Sequence, residues 1–320
     1  GRKVKKIMVG TNLTSVVEFI LLGFSDLHNF QGFLFGIFLI IYVSILIGNG
    51  LIILVTKVFR ALHTPMYFFF GNFSFLEICY TSVTLPNILT NLWTHDRSIS
   101  FLTCAIQLCF LLILGSTECL LLTVMAYDHY VTICKPLYYP LIMSHKVCVQ
   151  LVVGSWTTGI PVMIGQTYHV FSLPFCDSNK LDDVFCDIFP LLKLACSDIS
   201  VIEFSVYVVA VLFVMTPFIL IIRSYVKIIT TILKLPSNTG KYKAFSTCSS
   251  HLIVVILFFG SATITYSRPK SNNSGRTDKI LSLLYTIVTP MFNPMIYSLR
   301  NKDIIEALKK LLQWLGSSSI

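Results

Sequence analysis

Two acidic side chains stand well inside long apolar segments of the sequence. Glu77 lies in the segment 65–90 and Glu118 lies in the segment 101–127, and no other carboxylate is placed as deeply. A charged carboxylate left alone at the centre of a lipid bilayer costs about 2.5–3.5 kcal/mol. If these segments cross a membrane, both side chains must face the interior of the protein, either protonated or paired.

The cysteines form a second group of reactive side chains, and the sequence contains 10 of them. Four lie on one predicted face, outside or at the end of the apolar segments: Cys104, Cys176, Cys186 and Cys196. In an oxidising compartment these can form two disulfides, and four cysteines permit three pairings. For the others, which lie in apolar segments or short loops, we expect small apolar packing rather than metal binding.

The side chains that common catalytic and transport mechanisms require are missing. The sequence has no His-Glu-x-x-His pair and no phosphate-binding loop. The segment 280–299 contains no lysine that could form a retinal Schiff base. Inverted repeats and rings of charge, which are typical of transporters and channels, are also absent. We predict that the protein is not an enzyme, and an ion-translocating membrane protein is retained as an alternative.

The composition indicates what kind of fold must position these residues. Of the 320 residues, 55% are hydrophobic and 12% are charged, against about a quarter charged in soluble proteins. Seven segments are apolar and long enough to cross a hydrocarbon core of about 30 Å. They are 33–56, 65–90, 101–127, 147–166, 201–228, 249–267 and 280–299. The prediction is an all-α integral membrane protein, with a single domain over 1–320 and a seven-transmembrane helix bundle at 33–299.

The two termini should lie on opposite sides of the membrane, because the number of spans is odd. Residues 1–14 are basic and polar, so we expect no cleavable signal peptide, and Asn12 begins a glycosylation sequon. The sequon and the cysteine-rich break at 168–200 place the N-terminal 1–32 outside and the C-terminus in the cytoplasm. At 302–315, apolar residues at helical spacing predict an amphipathic interfacial helix, with a frayed tail as the alternative.

The net charge of +9 does not indicate nucleic-acid binding. Lysine and arginine lie in short loops between apolar segments rather than on one face with interleaved aromatic residues. The expected negative partners are membrane lipid headgroups.

Five motifs identify a family that the chain resembles. They are GN at 48–49, LHTPMYF at 62–68, MAYDHY at 125–130, KAFSTCSSH at 243–251 and PMFNPMIYSLRN at 290–301. Their order and spacing resemble the mammalian odorant receptors of the tetrapod-type branch, which belong to the rhodopsin-like G-protein-coupled receptors. The resemblance implies a receptor in the plasma membrane.

The resemblance also implies how the cysteines and the buried acids are used. It pairs Cys104 with Cys186, and Cys176 with Cys196, so that a lid closes over the mouth of the bundle. The acidic residues at 77 and 118 resemble a sodium site that favours the inactive state. Glu77 is longer by one methylene than the aspartate usual in the family, and a neutral hydrogen-bonded pair with Glu118 is the alternative. No other cofactor is expected.

A ligand site is expected in the outer half of the bundle, beneath the lid. Counted from Cys104, an uncharged face of the third span carries Leu108, Leu111, Leu112, Gly115 and Ser116 at helical spacing. Amine receptors of the superfamily have a carboxylate at the position of Leu111, so a cationic amine is not the expected ligand. Positional resemblance adds Val206, Val209, Ala210, Phe259, Ala262, Thr263 and Tyr266. The implied ligand is a small, neutral, volatile odorant that hydrogen-bonds to Ser116, Thr263 or Tyr266; lipid-facing or helix-packing positions are the alternative for each residue.

The opposite ends of the helices should couple to a partner. By resemblance that partner is a heterotrimeric stimulatory, olfactory-type G protein that raises cyclic AMP. The implied coupling residues are Asp128, His129, Tyr130, Tyr225, Asn293, Pro294 and Tyr297. Pro294 lacks a backbone donor, so the seventh helix should bend there, and helix packing alone is the alternative role for Asn293.

His129 departs from the family pattern, which has arginine at this position. Arginine is always charged and carries five donors, whereas histidine is shorter and mostly neutral at pH 7. Two hypotheses follow. Either coupling is weak or conditional, or other contacts suffice and the change is nearly silent.

Overall fold

Six long helices and a C-terminal helix make up most of the described chain. The computed structural model describes residues 17–23, 30–94, 96–176, 179–266, 290–291, 296 and 301–317. The long helices are α1 (Gln31–Val58), α2 (Pro65–Thr94), α3 (Phe101–Cys134), α4 (His145–Phe171), α5 (Ser200–Lys234) and α6 (Asn238–Tyr266). The seventh predicted span is described only at 290, 291 and 296, and all three residues are helical.

Five of these helices are long and apolar enough to cross a membrane, and α2 is the exception. Helix α2 has 30 residues, which is ample length, but it carries polar residues along its course. Several of those residues are buried, among them Ser74, Thr81 and Thr84. Helix α2 therefore directs several of its polar side chains into the protein. Large apolar side chains of α1, α4 and α5 remain exposed, as expected for a surface that meets lipid.

The helices extend beyond the apolar segments that predict them. Helix α3 continues to Cys134 rather than stopping near 127, and α6 begins at Asn238 rather than near 249. Hydropathy marks only the part that lies in hydrocarbon, whereas backbone hydrogen bonding continues a helix into the interface. The polar motif at 243–251 is thus the first part of α6.

Helix α3 lies at the centre of the described bundle. It packs against α2, α4, α5 and α6, and it begins after Ser100, whose side chain accepts a hydrogen bond from the Thr103 amide at 3.1 Å. Such a cap satisfies one of the amides left free at a helix start. The predicted ligand face and the MAYDHY motif therefore lie on the same central helix.

Helix α5 contains a π-helical turn at Val211–Met215. Pro217 follows this turn and cannot donate a backbone hydrogen bond, so the regular ladder is interrupted. The Val211 carbonyl accepts from both the backbone amide and the hydroxyl of Thr216, the hydroxyl at 3.0 Å.

A small sheet covers the disulfide-bonded end of the bundle. Its strands are β1 (Glu18–Leu21), β2 (Ser98–Ser100) and β3 (Lys180–Leu181), in the order β2-β1-β3. Strand β1 pairs antiparallel with β2 and parallel with β3. The segment before α1 thereby joins two loops that are far apart in sequence.

The C-terminal helix (Lys302–Ser317) has two distinct faces. Ile304 and Leu311 are buried, and the helix packs against α1, whereas Leu312 and Trp314 are exposed. Asn301 caps its first turn by accepting from the Asp303 amide at 3.0 Å. The predicted amphipathic helix is confirmed, and the frayed tail is not.

Candidate functional site

Two disulfides join the lid to the bundle. Cys104 at the start of α3 is bonded to Cys186, and Cys176 is bonded to Cys196. Both pairings are those implied by the family resemblance. The six remaining cysteines are free thiols in the structure.

Gln107 provides a second connection that the sequence did not indicate. Its side-chain oxygen accepts from the Cys186 amide at 3.1 Å, and its side-chain nitrogen donates to the Val83 carbonyl at 3.1 Å. The side chain is only 3% exposed. One amide thus ties the lid to both α3 and α2, one turn below the disulfide.

Aromatic rings fill the space under the small sheet. Phe19 of β1 is fully buried, with its ring centroid 6.0 Å from that of Phe101 and 5.5 Å from that of Phe175. Phe101 also meets Phe171 of α4 edge-on at 5.0 Å. These residues form one apolar cluster with Leu108 and both cysteines of the first disulfide. We call it the lid cluster.

The predicted ligand residues on α3 differ in their surroundings. Leu108 is buried in the lid cluster, and Leu112 packs against it. Leu111 and Gly115 are partly exposed. Ser116 is 5% exposed, and its hydroxyl donates to the Ile113 carbonyl at 2.8 Å. The hydroxyl of Ser116 is thus already paired with its own helix.

The close approach of α3 to α4 explains the burial of Ser116. A methyl group at Gly159 would overlap the Ser116 hydroxyl oxygen and would lie 3.4 Å from the Ser116 Cβ. Glycine at 159 therefore lets the two helices approach at this level.

Gly159→Ala is expected to destabilise the protein by about 1–3 kcal/mol, the usual penalty for overpacking. The measurement is the midpoint of thermal unfolding of the purified protein. Gly165→Ala on the same helix is the control, because a methyl group there meets nothing within 4 Å. Adding Ser116→Ala should recover most of the loss; no recovery, or an equal loss in the control, would contradict the assigned clash.

The predicted residues on α5 and α6 are described in part. Val206, Val209 and Ala210 are partly buried, whereas their neighbours Tyr207 and Val208 are exposed, so the predicted residues lie on the inward face. Phe259 is buried against Phe218, with ring centroids 5.0 Å apart.

Of the predicted residues near the end of α6, only Thr263 has a described side chain. The Thr263 hydroxyl donates to the Phe259 carbonyl at 2.6 Å, so it too is paired within its own helix. The side chains of Ala262 and Tyr266 lie outside the described residues, as do Asn12, Asn293, Pro294 and Tyr297.

The two buried acids lie in the middle of the bundle. Glu77 on α2 is fully buried and Glu118 on α3 is 3% exposed, and the pair is close enough for their charges to interact. Asn49 of α1 is also fully buried, and its side-chain nitrogen donates to the Ile45 carbonyl at 3.1 Å. Within the part of the chain that the structure describes, three or more metal-ligating side chains do not cluster anywhere.

Asp128 and His129 have different partners at the other end of the bundle. Asp128 is 1% exposed and accepts from the Tyr139 hydroxyl at 2.9 Å. Tyr139 lies in a short helix, Tyr139–Ile142, after α3. Burial, together with the neighbouring Asp128 carboxylate, raises the pKa of Tyr139. Sequence reasoning did not identify Tyr139.

His129 contacts α6 rather than Asp128. It is 2% exposed, and its ring centroid lies 5.3 Å from that of His251, edge-on. The Nδ1 atom of His251 lies 2.7 Å from the Tyr225 hydroxyl, which also donates to the Cys248 carbonyl at 3.2 Å. His129, Tyr225 and His251 thus connect α3, α5 and α6. We call them the histidine cluster; His251 belongs to the KAFSTCSSH motif but was not predicted as a partner.

Tyr130 follows His129 on α3, but its side chain is not part of the histidine cluster. Its ring is partly exposed, with the Lys135 ammonium 6.0 Å from the ring centroid. It is therefore placed at the rim of this end rather than between the helices.

The fold is that of the seven-helix, rhodopsin-like membrane receptors. The crystal structure of squid rhodopsin matches it with a TM-score of 0.67 at 18% sequence identity, over 88% of this chain and 85% of that chain. This likeness confirms the predicted fold class.

The olfactory receptor family profile matches residues 38–314. Olfactory receptor 10AG1 of Homo sapiens is 60% identical over 296 residues, which is 92% of this chain and 98% of the relative. Olfactory receptor 10A7 of Homo sapiens is 50% identical over 305 residues, which is 95% of this chain and 96% of the relative. The chain belongs to the olfactory receptor family, and it is a multi-pass membrane receptor rather than an enzyme.

Proposed function

We propose that this receptor binds a small, neutral, apolar odorant in the outer half of the bundle and activates a stimulatory, olfactory-type G protein that raises cyclic AMP. The observation that carries the proposal is the central position of α3 beneath the disulfide-linked lid. Its inward residues there are uncharged, and an apolar concave site between helices is the usual form of a small-molecule site.

The proposed orientation places the disulfide-bonded end outside the cell and the C-terminal helix in the cytoplasm. Disulfides persist in oxidising compartments, which supports the first assignment. The exposed apolar face of the C-terminal helix, with Leu312 and Trp314, suits a helix that lies on the inner membrane surface.

The coupling surface is proposed to lie at the end that carries the histidine cluster. The loop after α3 exposes large apolar side chains there, with Leu137 92% and Tyr138 62% exposed. A cavity of about 410 Å³ is lined by this loop together with Cys134 and Ile142. Exposed apolar residues beside a cavity favour a protein partner rather than water.

Activation is proposed to be a shift between two arrangements of the helices. An odorant that binds the active arrangement better raises its population. Opening the bundle toward the G protein would move α6 away from α3 and α5. That movement must break the contacts of His251 with His129 and Tyr225.

Glu77 and Glu118 are the residues that would hold a sodium ion. Oxygen ligands suit such a hard cation, and a cation would offset two buried carboxylates that otherwise repel each other. A proton shared by the pair would offset them as well, so both alternatives remain hypotheses.

Leu112→Phe and Gly115→Val are expected to reorder the odorant preference while leaving the amount of receptor at the surface nearly unchanged. Each change fills part of the proposed site, and one methylene in an apolar pocket alters discrimination by about 10–200-fold. The measurement is a cyclic AMP dose response across an odorant panel, normalised to surface labelling.

The matched control for this experiment is Ile106→Phe. Ile106 lies on the same helix but is 48% exposed, on the face directed away from the bundle. If every active odorant has the same potency on both site variants as on the wild-type receptor, the proposed pocket is misplaced. A ligand-gated current in cells without G protein would instead support the ion-translocating alternative.

A further inference from the structure

Gln166 on α4 is a buried polar side chain that none of the predictions above uses. It is 6% exposed, and its side-chain oxygen accepts from the Ser205 hydroxyl of α5 at 3.1 Å. The single proton of the Ser205 hydroxyl is shared with the Ile202 carbonyl, which lies 2.8 Å from the hydroxyl oxygen. Among the described residues, nothing accepts a hydrogen bond from the Gln166 nitrogen.

The register of α4 places Gln166 at the depth of the proposed odorant site. It lies seven residues beyond Gly159, so the two share a face and stand about 10 Å apart along the axis. Gly159 faces Ser116 of α3 and Phe213 of α5. One turn beyond Gln166, Val170 is fully buried in the lid cluster.

The neighbours at this depth are apolar. Leu112 of α3 and Val206 of α5, two of the predicted ligand residues, pack against the same lid cluster. A buried amide donor without a partner is unfavourable, and such a group in a native structure calls for an explanation. A ligand that accepts a hydrogen bond would supply the missing partner.

Two other candidate hydrogen-bonding residues, those whose side chains the structure describes, are already engaged. The hydroxyls of Ser116 and Thr263 donate to carbonyls of their own helices. A hydroxyl has one proton, so these groups can offer an odorant only an acceptor. Among the described side chains of the proposed site, the Gln166 amide is the group that can donate.

We propose that Gln166 is the hydrogen-bond donor that orients the odorant, and that the ligand class is small apolar molecules with an acceptor oxygen, such as aldehydes, esters and ethers. This inference rests on the proposed function, because it assumes an odorant in the outer half of the bundle. The ligand oxygen lies at the α4–α5 side, held by Gln166, and its hydrocarbon part extends toward Leu112 and Val206. Ser205 acts as a positioning residue that holds the amide oxygen.

The test compares matched probes on cells that express the receptor. Octanal, methyl heptanoate and octyl methyl ether carry an acceptor oxygen, and nonane is an apolar probe of similar length. Gln166→Leu keeps the volume and removes the donor. We expect at least a tenfold loss of potency for the oxygen-bearing probes, because a site that pairs a polar group discriminates strongly against its absence. The potency of nonane should be unchanged or improved.

Two further variants separate recognition from folding. Thr167→Val removes an equally buried polar atom on the same helix, whose hydroxyl donates to the Met163 carbonyl, and it should not change the ranking of the probes. Gln166→Met retains the length of the side chain without the donor, and it replaces Gln166→Leu if that variant does not reach the surface.

The outcomes distinguish the inference from the proposed function. If the wild-type receptor responds to the probes and the Gln166 variant that reaches the surface changes all potencies equally, the donor role is wrong while the odorant site stands. If no probe activates the wild-type receptor, the proposed ligand class fails, and the inference fails with it.

Discussion

Cys104→Ser is expected to remove most of the receptor from the cell surface, with surface labelling at least tenfold below that of the wild type. The Cys104–Cys186 bond fastens the lid to the start of the central helix, and both residues are fully buried. Loss of a native disulfide typically costs about 2–5 kcal/mol, a large part of a folding stability of about 5–15 kcal/mol. Gln107 alone cannot compensate, because its bond to the Cys186 amide is a single neutral hydrogen bond.

The control for this prediction is Cys109→Ser on the same helix. Cys109 is a partly buried free thiol, so its replacement removes a cysteine without removing a bridge. Surface labelling of Cys104→Ser equal to that of the wild type would show that the bridge is dispensable. An equal loss in Cys109→Ser would show that the effect is not specific to the bridge.

His129→Arg is expected to raise odorant-evoked cyclic AMP at least about fivefold at equal surface expression, the lower end of the usual coupling between two sites. This prediction rests on the proposed coupling to a stimulatory G protein. The buried ring of His129 on α3 contacts His251 of α6. Arginine is longer and permanently charged, and it cannot remain uncompensated in that buried position. It should therefore disfavour the closed contact with α6 and offer donors to the partner when the bundle opens.

A matched control is His145→Arg, which adds the same charge at the same end of the bundle. His145 is the exposed first residue of α4, away from the histidine cluster. The response is measured as the maximal cyclic AMP level divided by surface labelling, for one active odorant. A response that is unchanged or lowered in His129→Arg would refute the prediction, and an equal rise in His145→Arg would assign the effect to charge alone.

The contacts of His129 differ from those that the family pattern suggests. Sequence reasoning treats the residue as a shorter, mostly neutral replacement for the arginine of the family pattern. In the structure Asp128 accepts from Tyr139, whereas the His129 ring contacts the ring of His251, which in turn lies against the Tyr225 hydroxyl. The loss of an arginine is therefore accompanied by a packed contact between two imidazoles, which holds α3 to α6 without an ion pair.

Several properties of this receptor follow from the sequence by itself. Membrane insertion depends on the length and hydropathy of each segment, so the apolar runs predict helices such as α1 and α3 without knowledge of the packing. The amphipathic spacing at 302–315 likewise predicts the C-terminal helix, because a helical period is a local property. The family motifs supply the disulfide pairing, which spacing alone leaves among three alternatives.

Only the tertiary structure decides which polar groups remain available to a ligand or a partner. Sequence spacing places Ser116 on the ligand face, but folding brings Gly159 of α4 against it, and its hydroxyl is buried between the two helices. Gln166 carries no signal in the sequence, because only folding places Ser205 of α5 against its oxygen while no described residue accepts from its nitrogen. Hydropathy and helical period are set by neighbours along the chain, whereas the pairing of a buried donor depends on residues brought together from α3, α4 and α5 by folding.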